Sequence, residues 1–185
     1  MSSHDPVFPG ESAAARSARM LRVDHAGEVA AKRIYEGQLA VLKHQATPLP
    51  AAGLIGEMAA KEEAHLAAFE RMVTARQVRP TLLSPLWDVA AFGLGAASAL
   101  LGPRAAMACT AAVEEAICEH YQQQLEELGA EDPELSAMIT EFQADEMSHR
   151  QTALGHGAET APAYRPLSEI IKAGCRLAIR LSERI

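Results

Sequence analysis

Apolar residues recur along most of this chain at intervals of three, four and seven, the spacing that puts them on one face of a helix. One such stripe passes through Ala14, Ala18, Leu21, Tyr35, Leu39 and Leu42 and predicts a helix from residue 12 to about 44. Thr47, Pro48, Leu49 and Pro50 should end it, because proline disfavours helical backbone in the residue before it. Ile55, Met58, Phe69 and Met72 predict a second helix over 51–78. Ser84 and Pro85 then form a cap-and-proline helix start. The 16 residues 86–101 that follow are apolar except for Asp88 and Ser98. That is short of the roughly 20 residues a helix needs to cross a bilayer. Gly93, Gly95 and Gly102 weaken the segment as a free-standing helix. It therefore predicts an apolar connecting helix, either buried or forming a lid turned towards lipid or another apolar ligand.

Pro103 opens a third long helix to about residue 129, striped by Met107, Ala111, Ile117, Cys118, Tyr121, Leu125 and Leu128. Asp132 and Pro133 start a fourth, striped by Leu135, Met138, Ile139, Phe142 and Ala153. Residues 155–166, with glycines and prolines, break the chain. A last amphipathic helix over 167–185 carries Leu167, Ile170, Ile171, Leu177, Ala178 and Leu181 on one face. Lys172, Arg176, Arg180 and Arg184 form a basic row along it at intervals of four. With only 4% aromatic residues and no β-branched runs, the chain reads as all-α. Residues 12–185 form a single domain in this reading, and 1–11, with Pro6 and Pro9, a disordered N-terminus.

Polar residues sit inside these apolar stripes, and they repeat. Glu28 lies in the first, Glu62 and His65 in the second, Glu114 in the third, Glu146 and His149 in the fourth. The two Glu-x-x-His pairs place a carboxylate and an imidazole on the same helix face. Glu28, Tyr35, Gln38 and Leu39 recur 86 positions later as Glu114, Tyr121, Gln124 and Leu125. The chain thus reads as a duplicated helix pair forming a ferritin-like four-helix bundle. A carboxylate buried in such a stripe must be protonated, paired or bound to metal. Four glutamates and two histidines converging in a bundle are the donor set of di-iron and di-manganese carboxylate proteins. Oxygen and nitrogen donors without thiolate suit iron or manganese rather than structural zinc. Two divalent ions would neutralise the four carboxylates, which would otherwise repel one another and take up protons. Each metal would receive one histidine and a terminal glutamate, with the remaining glutamates bridging.

The net charge of −7 argues against nucleic-acid binding. Cys109, Cys118 and Cys175, odd in number and without a Cys-x-x-Cys pair, read as reduced thiols. A basic amphipathic helix on an acidic body suggests contact with an anionic membrane surface, or else a helix docked on the bundle to offset its charge.

Residues 22–28, Arg-Val-Asp-His-Ala-Gly-Glu, followed by Arg33-Ile34-Tyr35-Glu36-Gly37-Gln38, closely resemble the Coq7 (demethoxyubiquinone hydroxylase) family. So do Val113-Glu114-Glu115 with His120-Tyr121, Ala161-Pro162-Ala163-Tyr164, and the ending from Ala173 to Arg184. The resemblance spans nearly the whole chain from about Arg16. It implies a di-iron monooxygenase of ubiquinone biosynthesis that uses O₂ to hydroxylate the ring of a demethoxyubiquinol. It also implies two Fe(II) ions held by Glu28, Glu62, His65, Glu114, Glu146 and His149, with His120 and Tyr121 as candidate catalytic residues. His25 would be a hydrogen-bond partner near the metal or a core histidine, and Asp24 an orienting group for a ligand histidine or a solvated acid. The expected setting is the cytoplasmic face of a bacterial cell membrane, reached peripherally through 86–101 and 167–185, with other ubiquinone-biosynthesis proteins as possible partners. No dinucleotide fingerprint is present, so electrons would come from a partner, from NADH or from the quinol. The competing readings are a ferritin- or rubrerythrin-like ferroxidase or iron store, and a non-catalytic quinone- or lipid-binding protein.

Overall fold

A computed structural model describes residues 8, 10–44 and 50–185. Residues 47–49 of the expected helix-ending segment, and 1–7 and 9 of the expected disordered N-terminus, lie outside the described residues. The helices are α1 (Ala13–Leu42), α2 (Pro50–Ala75), α3 (Ser84–Leu100), α4 (Pro103–Leu128), α5 (Pro133–Gly155) and α6 (Tyr164–Ser182), with a short 3₁₀ turn at Ala158–Thr160. The described residues contain no strand, as the composition predicts.

Two apolar clusters fix the directions of the four long helices. One joins Tyr35 and Leu42 of α1, Ile55 and Met58 of α2, Met107 and Ala111 of α4, and Ala153 of α5. The other joins Met20 and Leu21, Phe69 and Val73, Tyr121 and Leu128, and Leu135, Ile139 and Phe142 of the same helices. Hence α1 and α5 run one way, α2 and α4 the other. On every helix the predicted polar residues fall between the two clusters. Six ionisable side chains are thus held in a layer sealed above and below by apolar packing.

The structure enlarges the duplicated unit from two helices to three. α3 lies along α1, and α6 lies along α4 in the corresponding place. Both added helices close over a third apolar cluster with Ile34, Ala91, Cys109, Val113 and Ile171. This explains why α1 is buried on more than its predicted stripe, at Ala31, Ile34, Gly37 and Gln38.

Backbone contact, rather than side-chain interdigitation, seats α3. A Cβ on Gly37 would lie 2.2 Å from the Phe92 carbonyl oxygen, and one on Gly95 would lie 2.0 Å from that of Ile34. Gly95, read from sequence as a weakness in the helix, is what lets the two helices touch. Gly95→Ala should therefore push α3 away from α1 and destabilise the fold by about 3 kcal/mol or more. Thermal melting checks this; an unchanged melting temperature would contradict the close approach.

Three helix ends depart from expectation. α2 stops at Ala75 because Gln77 takes a left-handed conformation (φ 53°), and Val78 N–H reaches back to the Val73 carbonyl at 2.9 Å. This is the helix-ending turn usually signalled by glycine, so a glutamine there gave no warning. Ser84 is not the cap of α3 but its first residue, its hydroxyl donating to the Thr81 carbonyl at 2.8 Å. α6 begins at Tyr164, so Pro166 falls in the first turn, where its missing N–H has no helical acceptor to lose. By contrast Asp132 caps α5 as predicted, accepting from Leu135 N–H at 3.2 Å.

Candidate metal centre

Each of the six predicted residues is buried: Glu28, Glu62, His65, Glu114, Glu146 and His149. Their donor atoms form two groups, each with all atoms within 4.8 Å of one another. One contains Glu28, Glu62, His65 and Glu146, and the other Glu62, Glu114, Glu146 and His149. Glu62 and Glu146 belong to both. The geometry thus separates the glutamates in a way spacing alone leaves open: two are shared, and Glu28 and Glu114 lie one at each end.

His65 Nδ1 faces this interior, 3.1 Å from Glu146 Oε1 and 3.6 Å from Glu28 Oε2. His149 Nδ1 lies 2.9 Å from Glu146 Oε2 and 3.1 Å from Glu62 Oε1. The phenol of Tyr121 donates to Glu28, and that of Tyr35 donates to Glu114. Even so, Glu28 Oε2, both Glu62 oxygens, Glu114 Oε2, Glu146 Oε1 and His65 Nδ1 are buried without a hydrogen-bond partner among the described residues. Native proteins rarely leave so many buried polar atoms unsatisfied in one place, because each costs free energy. Metal cations bound among these donors would satisfy them, so the residues fit the group that the donor set implies.

The protonation pattern follows from crowding. Burial pushes the carboxyls of Glu28, Glu62 and Glu114 above the ordinary carboxylate range, and repulsion from the charge on Glu146 pushes further. Burial opposes ionisation of Glu146 too, yet its contacts with His149 and His65 outweigh it and bring that carboxyl down to about 2. His65 is raised to about 10: burial disfavours its charge, but its contacts with Glu146 and Glu28 win. Without metal, the cluster therefore holds protons in place of cations.

His65 has a support that the sequence reading missed. Its Nε2 lies 3.2 Å from Asp145 Oδ2, and Asp145 is itself paired with Lys61 at 2.6 Å. A carboxylate behind an inward-facing imidazole fixes its orientation and raises its basicity. The ring of Phe142 stacks on His65 with centroids 4.0 Å apart. An acid adjoining Glu146 was the only signal, and spacing gave no reason to favour it over a solvated charge. Among the described residues His149 has no equivalent support, its Nε2 lacking a hydrogen-bond partner.

Of the candidate catalytic pair, Tyr121 reaches the centre through Glu28, while His120 stands one layer out, its Nε2 3.4 Å from Asp24 Oδ1. Asp24 is buried and accepts from Gln124 Nε2 at 2.8 Å, so it is neither solvated nor seen here beside a ligand histidine. His25 is half-buried, and burial lowers its pKa.

The family described as Ubiquinone biosynthesis protein COQ7 matches residues 15–182. The chain belongs to this family. Among COQ7 relatives, 3-demethoxyubiquinol 3-hydroxylase of Rhodospirillum rubrum is 52% identical over 179 residues, covering 96% of this chain and 83% of the relative. The NADPH-dependent 3-demethoxyubiquinone 3-hydroxylases of mitochondria in Dictyostelium discoideum and Homo sapiens are 50% and 49% identical. Each covers 90% of this chain, with 76% and 77% of the relative matched. The COQ7 fold in this chain is the all-helical bundle predicted from its stripes.

Proposed function

We propose that the chain is a di-iron monooxygenase that hydroxylates the ring of a demethoxyubiquinol in ubiquinone biosynthesis. Glu28, Glu62, His65, Glu114, Glu146 and His149 would hold two irons in this reading, with Glu62 and Glu146 belonging to both donor groups. The observation that carries it is the sharing of Glu62 and Glu146 by two donor groups in a chain half identical to named demethoxyubiquinol hydroxylases. The iron pair, when bound, supplies the redox chemistry needed to activate O₂. The protein's part is to hold the donors in place and keep bulk water out. Asp145 and Phe142 fix the His65 ring, and the apolar clusters on either side of the layer exclude solvent. Relatives named as NADPH-dependent support a reduced nicotinamide as the electron source. Family membership favours this activity over iron storage or passive quinone binding. Iron should co-purify at two per chain, and demethoxyubiquinol should gain one oxygen on turnover. Many irons per chain without product would favour storage instead.

The substrate's isoprenoid tail favours work at a membrane, since each CH₂ drawn into water costs about 0.8 kcal/mol. No helix among the described residues is long and apolar enough to cross one. α3 and α6 nonetheless leave large apolar side chains in solvent, including Val89 (70% exposed), Leu100 (74%) and Ile170 (71%). We therefore place the chain peripherally on the anionic cytoplasmic face, with these helices against the lipid. The basic row divides between two tasks. Lys172 pairs with Glu115 at 2.8 Å and Arg176 with Glu119 at 3.3 Å, so these two tie α6 to α4. Arg180 is exposed and Arg184 lies just beyond the helix, and both are left for the membrane. Arg180→Gln with Arg184→Gln should weaken binding to anionic vesicles by roughly 1 kcal/mol per charge. Turnover of a long-tailed substrate should fall, with a short-tailed analogue little affected. Equal losses on both substrates would assign the two arginines to the fold or the reaction.

A further inference from the structure

The tyrosines and the end glutamates are connected across the duplication. Tyr35 and Tyr121 occupy equivalent places, seven residues after Glu28 and Glu114. Neither phenol bonds the glutamate of its own helix. Tyr35 on α1 donates to Glu114 Oε1 on α4, and Tyr121 on α4 donates to Glu28 Oε1 on α1. In both cases the other oxygen, Glu114 Oε2 or Glu28 Oε2, is buried without a hydrogen-bond partner among the described residues. That second oxygen is the one left to serve the metal groups.

A further rung on each side keeps the two helices in register. Gln38 Nε2 donates to the Ala106 carbonyl at 3.1 Å and to Thr110 Oγ1 at 3.3 Å. Its counterpart Gln124 donates to Asp24 at 2.8 Å. The repeated Tyr and Gln positions therefore form a crossed set of contacts between α1 and α4. A core tyrosine needs any acceptor for its hydroxyl. Here both choose an end glutamate from the opposite half.

We propose that Tyr35 and Tyr121 are positioning residues for the metal centre, each holding one oxygen of the opposite half's end glutamate so that its other oxygen is presented to metal. This rests on the di-iron reading above. Glu62 and Glu146 receive no such clamp, in keeping with their shared position. The two clamps act on different metal positions: Tyr121 on the group with Glu28 and His65, Tyr35 on the group with Glu114 and His149.

The test follows iron release from iron-loaded full-length protein challenged with a ferrous chelator. Tyr35→Phe and Tyr121→Phe keep the ring and remove only the donor. Losing a partner that orients a ligand costs about 10–100-fold in metal affinity. Each single variant should therefore release one iron about 10–100-fold faster than wild type and retain the other, giving two phases of equal size. The double variant should release both quickly, with helical content unchanged by circular dichroism. Release at the wild-type rate, with hydroxylation lost, would make the phenols participants in the reaction and overturn a positioning role. Equal acceleration of both irons in a single variant would indicate a loosened bundle and also overturn it. A wild-type chain that takes up no iron would instead remove the di-iron reading itself.

Discussion

Glu62→Ala or Glu146→Ala should strip the chain of both irons and leave no measurable hydroxylation. Glu28→Ala or Glu114→Ala should weaken one metal position far more than the other. The difference follows from geometry, since Glu62 and Glu146 serve both donor groups and the others serve one each. Losing a shared donor should reduce affinity beyond the roughly 10–100-fold attached to an outer partner of a ligand. Elemental analysis after gel filtration, with circular dichroism as a control for folding, measures it. A Glu146→Ala chain holding two irons and turning over normally would refute the assignment. In the absence of metal, Glu62→Gln should not destabilise the fold, because it removes one of four crowded carboxyls. Metal binding and stability make opposing demands at that position.

Removing the metal should cost the folded chain heavily, and the cost should depend on pH. A ligand present at 1,000 times its Kd stabilises by about 4.1 kcal/mol, which for a chain of this size is roughly 8–16 °C in melting temperature. Glu28, Glu62 and Glu114 have raised pKa values in the folded metal-free chain, and so does His65, at about 10. A raised folded pKa gives stability that is full below the unfolded value and is lost as pH rises through the folded one. Both kinds of group thus weaken the metal-free chain as pH climbs from about 5 towards 10. Glu146, depressed to about 2, acts the other way, and its contribution disappears on acidification below the ordinary carboxylate range. Metal-free protein should therefore melt highest near pH 5 and progressively lower above it. Loaded protein should lose that falling limb, because cations replace the protons. A parallel pH profile for the two forms would show that the carboxyl cluster is not where metal acts.

The features legible in the sequence were mostly those with a period. Apolar stripes gave five of the described α-helices, a cap-and-proline start with an apolar run gave α3, and polar residues interrupting the stripes gave the six that the fold brings together. Glu28 and Glu114 stood out because the stripe demands an apolar residue where each occurs. What escaped reading depended on contacts between helices. Gly95 looks like local weakness and Gly37 carries no packing signal of its own, and only the crossing of α1 with α3 reveals why a side chain is forbidden at either. Asp145 resembles any surface acid until the Nε2 of His65 is seen beside it. The basic row of α6 is regular in sequence, but α4 offers Glu115 and Glu119 to its first half alone. The end of α2 was overestimated because Gln77 adopts a conformation that sequence associates with glycine. Sequence also matched Tyr35 to Tyr121 without revealing that each reaches across to the other half.

The buried layer of four glutamates and two histidines would hold the iron pair, and the activity proposed for the loaded chain is hydroxylation of a demethoxyubiquinol ring with oxygen from O₂. The most direct measurement is turnover of iron-loaded protein under ¹⁸O₂ in unlabelled water, with the hydroxylated quinol analysed by mass spectrometry. One ¹⁸O atom is expected in the new hydroxyl of each product molecule, and no hydroxylated product at all from the Glu62→Ala chain. Product carrying oxygen from water alone would contradict the proposed activity.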